Sequence, residues 1–269
     1  MTQKEFKSFG DSIASKLGDS NKLHGYFEDA APRLFYTCYT FGLLETKSLG
    51  RVLEIGPFYG YVPFLLRNQS TSYTVVEGPE PAVDPLLPLY GEANIDVQLL
   101  DFFEIFGPVN SATHRLPFPD NSFDTIICWE TMEHFNFNPV KFVRELFRVC
   151  APGGKVHITV PNKASFQALA GLWSRRKEPA TIQSYYQFED YHSAGKTAFY
   201  GFHWREYTPE ELSALFSKVS FKIAKCRTAV MLHQHKQISL KRKLLRFVNK
   251  CVGSLAPRHG TNVLLTAVK

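Results

Sequence analysis

The chain has 269 residues, 44% hydrophobic and 21% charged, with 17 Gly and 16 Pro. This composition excludes a disordered tail, a collagen-like chain and a coiled coil, and the length allows a sizeable core without staples. The net charge of +6 hides an asymmetry: Leu212 to Lys269 carries 12 Lys/Arg and no acid, leaving 19 of the 31 basic residues against all 25 acids before it.

A basic C-terminal block suggests an anionic partner: nucleic acid, a membrane surface or a phosphorylated substrate. The five cysteines form no C-x-x-C pair and fit no disulfide framework. No apolar run reaches the length of about 18 residues that a membrane span needs, and the N-terminus lacks a signal-peptide core. A cytoplasmic protein is expected.

Residues 1–50 read as a helical extension, with Phe6, Phe9, Ile13 and Leu17 at helical spacing and a second helix over 32–44. After Gly50 the rhythm becomes strand, turn, helix. Short apolar runs at 51–55, 73–77, 95–100, 123–129 and 155–160 read as strands. A helix is expected over 139–149 and a turn at 151–154. Such alternation predicts an α/β three-layer, Rossmann-like sandwich with a mostly parallel sheet, within a domain spanning 51–269. All strand C-termini then share the edge where ligands bind.

Residues 163–204 break the rhythm and are rich in aromatics, Trp173 and Trp204 among them. They read as an insertion on the ligand edge: a lid or substrate wall, or a satellite hydrophobic cluster. Thr208-Pro209-Glu210-Glu211 has the form of a helix start. Strands are expected at 221–226 and 262–268, around a basic amphipathic helical excursion at 236–258. That helix either meets an anionic membrane surface or packs on the core with a solvated basic side.

The chemistry begins at VLEIGPFYG (52–60), where an acid ends a strand before a glycine turn. Gly56 and Gly60 allow close backbone approach. The spacing is neither G-x-G-x-x-G nor a P-loop. Glu77 ends the next strand 21 residues past Gly56, where a carboxylate can accept both ribose hydroxyls.

These motifs, with VVEG (75–78), LPFPDNSFDTIICWETMEHF (116–135), LFRVCAPGGKVHITVPN (146–162) and HWREYTPEEL (203–212), resemble class I S-adenosylmethionine-dependent methyltransferases across roughly residues 50–225. The EHFNFNP stretch, aromatic insertion and YTPEEL segment look most like methyltransferases of glycan and lipid assembly. The resemblance implies a seven-stranded sheet with an antiparallel last strand and S-adenosylmethionine as cofactor. It places Glu54, Gly56, Pro57 and Gly60 at the cofactor's methionine part and Glu77 at its ribose. Phe58 stands where the family has a middle glycine. Family members often carry an acid near position 112, but this chain has Ala112 there, so Asp101 is the candidate adenine contact. Trp129 either flanks the cofactor or is a core aromatic.

Glu130-x-x-Glu133-His134 follows the fourth strand. His134, with Glu133, is the candidate general base, since an imidazole titrates near neutral pH. Two related groups hold a divalent metal with E-x-x-E-H, which would make Glu130, Glu133, His134 and His203 ligands; a loop brace is the third reading. Asn162, His203 and Trp204 are the candidate substrate contacts. The favoured reading is O-methylation of a sugar or a glycolipid-type small acceptor, with possible peripheral membrane contact through the basic helix. The alternatives are an RNA 2′-O-methyltransferase using the metal site, which would make nucleic acid the partner, and a non-catalytic cofactor-binding protein.

Overall fold

The computed structural model describes residues 1–17, 21–58, 61–79, 83–107, 115–166, 168–169, 203–231, 248, 251 and 256–269, with the side chains of 21–29 left aside. Gly60, Ala112, most of the 163–204 insertion and most of the 236–258 excursion therefore lie outside the described residues.

One sheet organises the chain. Its strands are β1 (Gly50–Ile55), β2 (Ser70–Glu77), β3 (Asp96–Leu99), β4 (Phe123–Trp129), β5 (Cys150–Pro161), β6 (Lys222–Ala229) and β7 (Asn262–Val268), in the order β3-β2-β1-β4-β5-β7-β6. β1 to β5 pair in parallel, and β7 runs antiparallel to both β5 and β6. The expected α/β sandwich, with its reversed last strand, is the observed fold.

The strands alternate two apolar faces. Leu53, Ile55, Ile126, Cys128, Val156 and Ile158 share one core with Phe102, Phe106, Phe142, Leu146, Leu212 and Phe216. These come from α5 (Phe102–Phe106), α6 (Pro139–Val149) and α7 (Pro209–Ser217). Val52, Tyr73, Val75, Ile127 and Trp129 face the other core. There they meet α1 (Gln3–Lys16), α2 (Asn21–Phe41), α3 (Val62–Leu66) and α4 (Leu87–Glu92). Both faces are covered at the centre of the sheet, where β1 is buried from Val52 to Ile55 and β4 from Thr125 to Trp129. Phe6, Ile13, Ala31 and Cys38 belong to this second core. The N-terminal helices thus form part of one outer layer.

Two local expectations are corrected. The second helix begins at Asn21, and Pro32 sits inside it. A proline costs a helix one hydrogen bond, but Ala31, Leu34, Phe35 and Cys38 pack against the sheet core and retain the turn. Residues 151–154 belong to β5. Between the Phe123–Cys150 and Thr125–Lys155 pairings the register shifts, which makes the segment a bulge. Gly153 has φ 76° there, and a Cβ on Gly154 would meet the Ala151 carbonyl at 2.8 Å.

α7 starts as its sequence dictates. The Thr208 hydroxyl accepts from the Glu211 amide, and the Glu211 carboxylate accepts from the Thr208 amide. Replacing Thr208 with Ala should lower stability by about 1 kcal/mol in urea denaturation, with Thr208→Ser retaining most of it. An unchanged midpoint in Thr208→Ala would contradict the cap.

Candidate active site

The C-terminal ends of β1 to β3 bring three acids to one edge. Glu54 lies near the end of β1, Glu77 ends β2, and Asp101 follows β3. Glu54 is 3% exposed and Glu77 is 4% exposed. The Tyr73 hydroxyl donates to Glu54 Oε2. The Phe58 amide donates to Glu77 Oε1. Burial pushes the Glu54 carboxyl up to about 8, against the Tyr73 bond, which lowers it. Burial likewise pushes Glu77 up to about 8, helped by the charge of Glu54 and opposed by the Phe58 and Gly78 amides.

The turn between these acids is held by backbone shape. Gly56 has φ 66°, and a Cβ there would fall 2.7 Å from the Thr131 side chain. The Thr131 hydroxyl donates to the Trp129 carbonyl at 2.9 Å and lies 3.3 Å from the Ile55 carbonyl. Gly56 is therefore required by Thr131 as well as by its own φ. Phe58, in place of the middle glycine, takes φ 51°. Pro57 is half-buried between them.

Asp101 caps α5: its Oδ1 accepts from the Phe103 and Glu104 amides at 2.8 and 3.1 Å. Its Oδ2 is buried without a hydrogen-bond partner among the described residues. Such an orphan acceptor is costly unless a ligand supplies a donor. A ribose hydroxyl pair at Glu77 and an exocyclic amine at Asp101 would meet the acceptors present, so the donor set fits an adenosine-type cofactor.

β4 leads into the second half of the site. Glu130 adopts φ 50°, and a short 3₁₀ turn, Met132–His134, follows. Glu133 Oε1 lies 3.9 Å from His134 Nε2. His134 and His203 meet edge to face, with ring centroids 5.0 Å apart. Glu133, His134 and His203 each offer a ligand atom, all within 4.8 Å of one another. The 203–205 segment is anchored by the Trp204 and Arg205 amides, which donate to the Glu133 carbonyl at 2.7 and 3.2 Å. His203 Nδ1 lies 3.4 Å from Glu206 Oε1.

Glu133 is 1% exposed, and its Oε2 has no hydrogen-bond partner among the described residues. Burial, then the Glu130 charge, pushes its carboxyl well above the usual range, against a pull from Arg33.

Three sequence candidates are engaged by partners of their own. Glu130 stands outside the metal-capable trio: its carboxylate accepts from Arg33 Nη1 at 3.1 Å and from Asn262 Nδ2 at 2.9 Å. Asn162 is occupied as a brace. Its Nδ2 donates to the Arg258 and Gly260 carbonyls, and its Oδ1 accepts from the Ala164 amide. Trp129 stacks on Phe41 of α2 at 5.8 Å, with its indole N–H buried and unpartnered among the described residues.

Sequence reasoning missed Tyr73, Thr131, Arg33 and Asn262. Tyr73 carried a usable signal, since it lies four residues before Glu77 and so on the same face of β2. Arg33 and Asn262 carried none, because their contacts span 97 and 132 residues.

The raised carboxyls set the pH dependence of stability. The folded state keeps protons on Glu54 and Glu77 that the unfolded chain releases above its ordinary 4.5. Their stabilisation is therefore full below about 4.5 and lost as pH rises through about 8. The melting temperature of the ligand-free protein should fall across that interval, and Glu54→Gln should flatten the slope. A slope unchanged by Glu54→Gln would contradict the assignment.

Comparison with known proteins agrees with the fold. The family model described as a methyltransferase domain matches residues 26–225. A 52-residue stretch is 38% identical to a Mycolicibacterium smegmatis (strain ATCC 700084 / mc(2)155) protein described as "Probable S-adenosylmethionine-dependent methyltransferase". That match covers 19% of this chain and 20% of the relative's length. The crystal structure of a SAM-dependent methyltransferase from Archaeoglobus fulgidus superposes with a TM-score of 0.56 at 16% identity, covering 93% of this chain and 100% of that one. One from Aquifex aeolicus gives 0.52 at 14% identity, covering 93% and 98%. At such identities the likeness concerns the fold. With the family model spanning β1 to β5, α7 and most of α2, the chain belongs to the methyltransferase-domain family.

Proposed function

We propose that this protein is a S-adenosylmethionine-dependent methyltransferase that methylates a hydroxyl of a sugar or glycolipid-type small acceptor, with His134 as general base. The observation that carries the reading is one edge holding both halves of the chemistry. Glu54, Glu77 and Asp101 lie at the ends of β1 to β3, and His134 follows β4.

When bound, the cofactor supplies an already activated methyl group. The chain's residues then have four tasks. Glu77 accepts from the ribose and Asp101 Oδ2 from the adenine amine. Glu54 faces the methionine part. His134 takes the proton of the acceptor hydroxyl as that oxygen becomes the nucleophile. Alignment of two reactants in a closed site is worth roughly 7–11 kcal/mol over a bimolecular reference, and a positioned base adds a factor of about 10²–10⁴. The aromatic residues of 163–204 suit a sugar face, although most of that segment lies outside the described residues.

Calorimetry with S-adenosylmethionine, and transfer of labelled methyl to lipid-linked and nucleotide-linked sugars, test this reading. His134→Ala should leave cofactor affinity within about twofold and lower kcat by about 10² or more. Full turnover in His134→Ala would remove the base. Absence of any cofactor binding would favour neither catalysis nor the cofactor-binding alternative.

A second reading is favoured by one observation: Glu133, His134 and His203 converge within 4.8 Å. One carboxylate oxygen and two imidazole nitrogens suit a divalent transition metal, which would polarise a hydroxyl such as an RNA 2′-OH. Glu130 would stay with Arg33 and Asn262. Titration with Mn²⁺ or Zn²⁺ should then show one site that Glu133→Gln abolishes. Activity that survives chelation and never responds to added metal would exclude it.

A further inference from the structure

The enclosure below the glycine turn holds more ionisable groups than the reading above uses. Tyr73 is 1% exposed and Tyr90 is fully buried. Tyr73 and Glu77 come from β2, Cys38 from α2 and Tyr90 from α4, and each feels or exerts charge at Glu54. These groups are a carboxyl, two phenol hydroxyls and a thiol, and none of them is a cation. The methionine part of the donor carries an ammonium, so the cation that matches the enclosure arrives with the ligand.

We propose that Tyr73 is a positioning residue for the cofactor: its buried hydroxyl fixes the Glu54 carboxylate as the anion that meets the methionine ammonium. This rests on the cofactor assignment above and goes one residue beyond it. The geometry is specific. Glu54 and Val75 are register partners across β1 and β2, so Tyr73 stands two residues before that partner on the same face. Its hydroxyl donates to Glu54 Oε2. A carboxylate that accepts a hydrogen bond is held in one rotamer and is favoured in its charged form. Without the hydroxyl, burial alone acts on Glu54. The carboxyl then keeps its proton more firmly and loses its aim.

The test separates the two ends of the cofactor. S-adenosylhomocysteine carries the amino-acid part, and methylthioadenosine lacks it. Tyr73→Phe should weaken S-adenosylhomocysteine roughly tenfold and leave methylthioadenosine within about twofold. In a Glu54→Gln background, Tyr73→Phe should add nothing further, because the carboxylate it serves is gone. Circular dichroism and the melting temperature check that Tyr73→Phe is folded. Equal weakening of both nucleosides, no weakening of either, or additive effects of the two substitutions would overturn the role of Tyr73. A wild-type protein that binds neither nucleoside would remove the cofactor assignment and this inference with it. Wild-type binding with an indifferent Tyr73→Phe would remove the inference alone.

Discussion

Burial of carboxyl groups at the ends of neighbouring parallel strands is the constraint on which the rest of the site depends. Glu54 and Glu77 are both removed from water; Glu54 is met by the Tyr73 hydroxyl and Glu77 by backbone amides, that of Phe58 first. Two anions cannot share such a space cheaply. The ligand-free state therefore favours protons there, and the proposed cofactor, with its hydroxyls and its cation, would relieve the same tension. The turn is shaped to leave that space open. Gly56 has no Cβ to push Thr131 away, and Phe58 bends through a left-handed conformation to bring its amide onto Glu77.

The other half of the site is organised by an ion pair. Arg33 on α2, Glu130 after β4 and Asn262 at the start of β7 meet at one point. Asn262 arrives there because β7 runs antiparallel to β5. Its first residue is paired with Pro161, the last of β5. A parallel β7 would have placed that amide at the opposite edge. The brace takes Glu130 out of the trio with His134 and His203, while burial, and then the charge of Glu130, push the Glu133 carboxyl above its ordinary range. The pair is half-buried, so truncating one member leaves the other charge compensated only in part by solvent.

Asn162 shows how a residue on the right edge can serve the fold. Its two N–H groups bridge to the segment that leads into β7. The same amide that could have met a substrate therefore fixes the strand that delivers Asn262. His203 is tied to the site differently, since the neighbouring Trp204 and Arg205 amides close on the Glu133 carbonyl. The backbone carries the histidine to its place opposite His134.

Strand identity, layer class and the acids at strand ends were legible because they depend on local periodicity and on turn chemistry. RVLEI, FDTIICW and NVLLTAV are apolar runs bounded by breakers, and they fold as β1, β4 and β7. The capping box at Thr208 is equally local. The start of α2 was not legible, because packing on the sheet retains Pro32 inside a helix that propensity alone would end. Nor could the sequence divide Glu130 from Glu133. Three residues apart in the chain, they differ in which distant partners reach them, and only the reversed direction of β7 and the crossing of α2 decide that. The chain thus determined by itself which acids stand at the strand ends; the tertiary structure decided which distant side chains brace them, because those contacts join segments about a hundred residues apart.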